Sequence, residues 1–187
     1  NDIYHYIGRI FYKTKEYTKA KYLFEKYETL ESLCSIGILY HNGEGVEQNY
    51  ITAKEYYEKS LTPRALCNLG KLYHYELGNT KDYQKAKEYY EQSNNNQALC
   101  NLGVLYANGY SVEKDEHKAI KYWEKSNTSQ AIYNIGLLYY NGLGVEKNYI
   151  KAVEYFSKSN LRNHTYCCRF SIIYSIYCIS YVFRTPY

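Results

Sequence analysis

Three observations predict an all-α fold in which antiparallel helix hairpins stack into a solenoid. A glycine inside an apolar stretch recurs at steps of 29, 33, 33 and 33 residues. An alanine follows each glycine after 12, 16, 16, 16 and 16 residues, with large apolar residues at +3 and +4 from it. A fixed period of about 20 to 50 residues is typical of repeat architectures. The two landmarks are Gly8, Gly37, Gly70, Gly103 and Gly136, and Ala20, Ala53, Ala86, Ala119 and Ala152.

The residues around each glycine predict the first helix of a unit, called helix A below. In the third unit, positions −5, −1 and +3 from Gly70 hold Ala65, Leu69 and Tyr73. These positions and the glycine share one face at 3.6 residues per turn. Glycine costs about 1 kcal/mol relative to alanine inside a helix. Its fivefold recurrence therefore indicates that a neighbouring helix comes too close for a Cβ atom.

The residues around each alanine predict the second helix, helix B. The alanine and two large apolar residues share one face, as with Ala53, Tyr56 and Tyr57, while charged residues occupy the opposite face. A small alanine opposite the glycine predicts close antiparallel packing of helix B on helix A. Each unit is therefore expected to form one hairpin.

The loops between helices A and B contain residues typical of the end of one helix and of the start of the next. Their glycines are expected to end helix A, because glycine adopts positive φ angles at little cost. A valine after these glycines is expected to pack into the hairpin. The loops lie at residues 42–50, 108–116 and 141–149. The expected N-caps of helix B are Asn49, Asp115 and Asn148.

These motifs resemble the Sel-1-like repeats, a branch of the tetratricopeptide-type helical repeats. The pattern LGxLYxxGxGV followed by AxxYYxKS appears at residues 35–60 and 134–159, and the resemblance covers roughly residues 31–160. It implies a right-handed α-solenoid that acts as an adaptor or scaffold for a partner protein. Some relatives carry disulfides within a repeat and have been proposed to bind sugar or cell-wall fragments.

The repeats define the expected domain organisation. Residues 1–160 are predicted to form the helical-repeat domain, which begins with a tetratricopeptide-like hairpin at residues 3–30. Four Sel-1-like repeats are expected to follow, at about residues 31–62, 63–95, 96–128 and 129–160.

Residues 161–187 form an apolar tail without Asp, Glu or Lys. Three interpretations compete: a cap on the solenoid, a membrane or partner anchor, or the product of a shifted reading frame. The uncharged run at residues 170–183 has 14 residues, fewer than the roughly 20 that a spanning helix needs. A membrane contact is therefore expected only through this tail. Its charged residues are Arg162, Arg169 and Arg184.

The face of helix A is the predicted partner-binding surface. If helix A lines the concave face, as in tetratricopeptide repeats, positions −6, −3, +1, +4 and +5 from glycine point into the groove. The groove would be cationic near the first repeats and apolar near the last, which suits a peptide with an acidic part and an apolar anchor. The alternative is that these are ordinary solvated or stack-filling positions. The predicted binding residues are His41, Arg64, Lys71, His74, Gln97, Gln130, Tyr133, Leu137 and Tyr140.

Three cysteines occupy position −3 of successive units: Cys34, Cys67 and Cys100. Stacked helices lie about 8–10 Å apart, whereas a disulfide needs Cα atoms within roughly 7 Å. We therefore expect free thiols that act as small buried hydrophobic residues. Free thiols favour a reducing compartment, and we expect a cytoplasmic location.

Composition and motifs exclude several other functions. The net charge of +4 is mixed in sign, without the cationic stripe that nucleic-acid binding requires. The chain contains no GxSxG, HExxH or GxxxxGK[ST] motif, so we expect neither an enzyme nor a cofactor. Two other functions stay open: a cell-wall-fragment-binding or hydrolase-like protein, which would need cysteine pairs within a repeat, and a membrane-tethered spacer.

Overall fold

The computed structural model describes residues 2–78 and 81–159, which form ten α-helices and no strand. Predictions about the tail at residues 161–187 lie outside the described residues. The odd-numbered helices are the A helices and the even-numbered helices are the B helices. They are α1 (Asp2–Lys13), α2 (Tyr17–Lys26), α3 (Leu30–Asn42), α4 (Tyr50–Ser60), α5 (Pro63–His74), α6 (Tyr83–Ser93), α7 (Asn96–Asn108), α8 (Glu116–Ser126), α9 (Ser129–Asn141) and α10 (Tyr149–Lys158).

The helices pack as the repeat predicts. Each A helix packs along the B helix that follows it, and each B helix packs against the next A helix. Successive A helices also touch, since α3 contacts α5, α5 contacts α7 and α7 contacts α9. The predicted all-α solenoid of stacked hairpins is confirmed.

The recurrent glycines lie against aromatic rings of the paired B helix. A Cβ atom on any of the five would come within 2.3 to 2.7 Å of such a ring. The close approach is as predicted, but its partner differs: the nearest atoms belong to the residue four positions after the alanine. The alanine is fully buried beside it. The pairs are Gly8 with Phe24, Gly37 with Tyr57, Gly70 with Tyr90, Gly103 with Trp123 and Gly136 with Phe156.

The helix ends predicted from the loops are confirmed. Three A helices end on a left-handed glycine with φ of 71° or 72°, at Gly43, Gly109 and Gly142. Each predicted N-cap side chain accepts a hydrogen bond from a backbone N–H in the first turn of helix B. The loop valines pack against the hydrophobic core, as expected; they are Val46, Val112 and Val145.

A serine at the end of helix B closes the open end of three hairpins. Its hydroxyl donates to a backbone carbonyl in the first turn of helix A of the same unit. The O···O distances lie between 2.5 and 2.7 Å. Because these serines are buried, the bond ties two helix ends together away from solvent. The pairs are Ser60 with Leu30, Ser93 with Pro63 and Ser126 with Asn96.

Tyrosine pairs stack between helices A and B in four units. Ring centroids lie 5.4 to 5.8 Å apart at interplanar angles of 9° to 14°. Many of the 28 tyrosines are thus structural, because stacked aromatic rings add to the stabilisation from burial. The pairs are Tyr40 with Tyr56, Tyr73 with Tyr89, Tyr106 with Tyr122 and Tyr139 with Tyr155.

Candidate partner-binding site

Three A helices converge on one cavity of about 140 Å³ at the first units of the solenoid. Helix α1 contributes positions +1, +4 and +5 from Gly8, α3 contributes +1 from Gly37, and α5 contributes −6 from Gly70. These are positions that the repeat register assigned to the groove. The lining residues are Arg9, Tyr12, Lys13, Phe24, Ser35, Ile38 and Arg64.

The cavity holds three cationic side chains, those of Arg9, Lys13 and Arg64. Within residues 2–78 and 81–159, no carboxylate lies within 4.0 Å of any of the three. A carboxylate close to the cavity wall is already engaged: the Tyr12 hydroxyl donates to Glu44 Oε2 at 2.5 Å. Burial and this neighbour raise the pKa of Tyr12 to about 12. Arg9, Lys13 and Arg64 are exposed, and they line the cavity without an ion-pair partner among the described residues.

His41 on α3 and Lys71 on α5 extend this surface along two helices that line the cavity. Lys71 stands at +1 of its repeat, equivalent to Arg9 and Ile38, and is half-buried. The half-buried His41 ring meets Tyr50 edge-on, with centroids 5.3 Å apart. Burial, and then the Lys71 ammonium, lower the pKa of His41. His41 is therefore neutral at neutral pH, and Lys71 supplies the charge at this point.

The structure corrects the prediction for His74. This residue is only 5% exposed, because the ring of Tyr75 stacks on it at a centroid distance of 4.4 Å. Its Nδ1 lies 3.3 Å from the Tyr90 hydroxyl. Burial lowers the pKa of His74. His74 is thus a neutral core residue and offers no charge to a groove.

Position −3 also differs from the groove pattern. Cys34, Cys67 and Cys100 are buried and free, which agrees with their predicted role as small hydrophobic residues. Burial raises the pKa of each thiol. In the fourth Sel-1-like unit, Tyr133 is half-buried, and its ring lies 5.1 Å from that of Phe156. At this position, therefore, only Tyr133 contributes surface.

The remaining predicted residues lie towards the other end of the solenoid. Gln97 and Gln130 are exposed, and Gln130 Nε2 donates to Asn134 Oδ1 at 3.0 Å. Leu137 and Tyr140 are half-buried and pack against α10. The structure thus places the cationic residues around α1, α3 and α5, and the apolar residues on α9.

Arg9 and Lys13 were missed by the sequence-based prediction. Both residues belong to the tetratricopeptide-like hairpin at residues 3–30, outside the four Sel-1-like repeats that supply the predicted binding residues. The signal was nevertheless present: Arg9 and Lys13 stand at +1 and +5 from Gly8. Counting every unit from its glycine would have found both.

Membrane-spanning helices and groups of three potential metal ligands are absent from residues 2–78 and 81–159. No helix there combines the length and the apolar composition needed to cross a bilayer. Nor do three His, Cys, Asp or Glu side chains come together there to hold an ion.

Comparison with known proteins identifies the family. The sequence model of the Sel1 repeat matches residues 30–61, 63–97, 96–127 and 129–164. A Sel1 repeat protein from Oxalobacter formigenes is 28% identical with a TM-score of 0.74, over 83% of this chain and 69% of that one.

Two further structures extend the comparison. The antigen c5321 of uropathogenic Escherichia coli, which displays an SLR fold, is 25% identical with a TM-score of 0.71. The alignment covers 86% of this chain and 38% of the antigen. A Sel1 repeat protein from Klebsiella pneumoniae shares the fold at 21% identity and a TM-score of 0.60, over 90% of this chain and 91% of that one. No protein of curated function matches the sequence. With four matched repeats across most of its length, the chain belongs to the Sel1 repeat family.

Proposed function

We propose that this chain is a non-enzymatic scaffold that holds a partner protein or peptide along the face of its A helices. Sel1 repeat proteins are generally protein-interaction scaffolds. Solenoids bind partners along extended surfaces built from successive repeats. The finer proposal concerns which face is used and what chemistry the partner brings to it.

The observation that carries the proposal is the cavity lined by Arg9, Lys13 and Arg64. Cations without an ion-pair partner in a concave site favour an anionic ligand, because hydrogen bonds between a cation and an anion are stronger than those between neutral groups. Lys71 continues the positive surface along α5, the helix that carries Arg64. A partner segment with acidic groups in register with these repeats therefore fits this end of the solenoid.

The apolar end supplies the second half of the proposed surface. Tyr133, Leu137 and Tyr140 lie together on α9 and are half-buried against α10. Aromatic residues on a rigid support contribute large contact area at low entropic cost. We propose that an apolar anchor of the partner packs here.

The chemistry of the groups supports binding rather than catalysis. Guanidinium and ammonium groups hold anions and stay protonated at neutral pH, so they serve poorly as general bases. The cysteines with raised pKa and the buried His74 lie beneath the surface. A local cluster of cations, in a chain whose charges are otherwise mixed in sign, favours an acidic peptide over nucleic acid as the partner.

The test compares partner capture by the full chain with capture by Arg64→Glu/Lys71→Glu. We expect the double variant to lose specific partners, as identified by quantitative mass spectrometry, and to keep its helical circular dichroism. The matched control is Lys121→Glu/Lys125→Glu, which reverses two exposed charges on α8. Undiminished capture by Arg64→Glu/Lys71→Glu, or equal loss in both variants, would contradict the proposed surface.

A further inference from the structure

We propose that the cavity among α1, α3 and α5 binds a phosphate monoester, the phosphorylated serine or threonine side chain of a partner peptide. This proposal rests on the scaffold function above and names the chemical class of its anionic contact. Three features of the cavity support it: its charge, the donors that it presents and the nature of its walls.

The charge of the cavity exceeds what one carboxylate can balance. Arg9, Lys13 and Arg64 bring three positive charges into one cavity, and within the described ranges none has an ion-pair partner. Glu44, beside the cavity wall, accepts hydrogen bonds from Tyr12 and Asn42 instead. A phosphate monoester carries a charge of about −1.5 to −2 at pH 7. It compensates this cluster better than the single charge of an aspartate or glutamate.

The donors also outnumber the oxygens of a carboxylate. Each guanidinium presents five N–H donors in a planar fork, and the ammonium presents three. Arg9 and Lys13 belong to α1 and Arg64 to α5, so two helices contribute cationic donors to the cavity wall. A carboxylate offers two acceptor oxygens, whereas a phosphate monoester offers three strong acceptors. A phosphate monoester therefore has one strong acceptor oxygen for each of the three cations, which a carboxylate does not.

The walls and volume suit a short phosphorylated side chain. The half-buried Ile38 supplies apolar surface beside the cations, where the methylene of serine or the methyl of threonine can pack. The volume of about 140 Å³ is roughly ten times the 10–15 Å³ that one water molecule needs. The cavity therefore has room for a group of several heavy atoms.

The test measures binding of two blocked amino acids to the full chain by isothermal titration and by the Arg Nε–Hε signals in NMR spectra. The probes are N-acetyl-O-phosphoserine methylamide and N-acetylglutamate methylamide. We expect the phosphoserine probe to bind at least about tenfold more tightly, because it matches the charge and the donors. It should shift the Arg9 and Arg64 signals in a saturable way.

Variants locate the site. Arg9→Gln and Arg64→Gln should each weaken phosphoserine binding by about tenfold, since each removes one charged fork. Lys121→Gln, an exposed cation on α8, should leave binding unchanged. Equal affinity for the two probes, or equal weakening by Lys121→Gln, would overturn the phosphate proposal. The phosphate proposal would also be overturned if Arg64→Glu/Lys71→Glu abolished partner capture while phosphatase treatment of the partner left capture unchanged. That result would leave the scaffold function intact.

Discussion

Gly103 lies directly beneath the indole ring of Trp123. A Cβ atom on Gly103 would stand 2.3 Å from Trp123 Nε1, and the same Nε1–H donates to the backbone carbonyl of Cys100 at 3.0 Å. This hydrogen bond therefore fixes the indole ring against residue 103, where the ring leaves no room for a side chain. This contact shows why the repeat keeps glycine at a helical position where alanine has the higher helix propensity.

Gly103→Ala should destabilise the protein despite the gain in helix propensity. The added methyl group overlaps the indole, and overpacking of this kind costs typically 1–3 kcal/mol. We expect a net loss of about 1–2 kcal/mol in the free energy of unfolding by urea, since the better helix propensity returns part of this cost. In a Trp123→Leu background the same change should cost less. An equal loss in both backgrounds would show that the ring is not the obstacle.

Ser126→Ala should destabilise the hairpin that α7 and α8 form. It removes the hydroxyl that donates to the Asn96 carbonyl at 2.6 Å and leaves that acceptor without this partner. We expect a loss of about 1–2 kcal/mol in the free energy of unfolding. Ser157→Ala is the matched control, because the exposed Ser157 donates only to Glu154 within its own helix. Similar losses for the two variants would argue against the closing role of Ser126.

His74 should make stability fall in mild acid. Burial lowers its folded-state pKa below the ordinary value of 6.5, so the unfolded chain binds more protons than the folded chain as pH decreases through this range. The free energy of unfolding should therefore decline from pH 7.5 to pH 5.0. His74→Gln should decline less steeply in urea titrations over the same range. Parallel pH profiles for the two proteins would contradict this assignment.

Tyr57 should make stability fall in alkali. Its ring is 1% exposed, and burial raises its folded-state pKa above the ordinary value of 10.0. The unfolded chain then loses its proton first as pH rises, so stability falls above pH 10. Tyr57→Phe should reduce the loss of helical circular dichroism in that range. Tyr22→Phe, at an exposed tyrosine, should leave the alkaline transition unchanged, and an equal shift in both variants would refute the role of burial.

The helices and their ends could be predicted because their signals are local and periodic. The N-cap role of Asn49 depends on a side chain that reaches backbone N–H groups two and three residues away. The positive φ of Gly43 reflects the conformational freedom of one residue. Such features depend only on nearby residues. A single repeat is therefore enough to predict them, and the five repeats lead to the same prediction.

The candidate site was predictable only in part. The register assigned Arg64 to the groove, and the structure places it in the cavity wall, but the same register also included His74 and position −3, which holds buried cysteines in three units. Whether a side chain at the edge of a helical face is exposed depends on its neighbours. For His74, the ring of Tyr75 covers the imidazole. No periodicity of helix A contains that information.

The amino-acid sequence by itself determined the repeat, the helix boundaries and the glycine positions, because these depend on spacing along one chain segment. Only the tertiary structure decided that Arg9, Lys13 and Arg64 share a cavity and that Ser126 joins two helix ends. Residues 9 and 64 belong to helices two units apart. Their meeting follows from how successive hairpins stack, which is a property of the packed helices and not of any one of them.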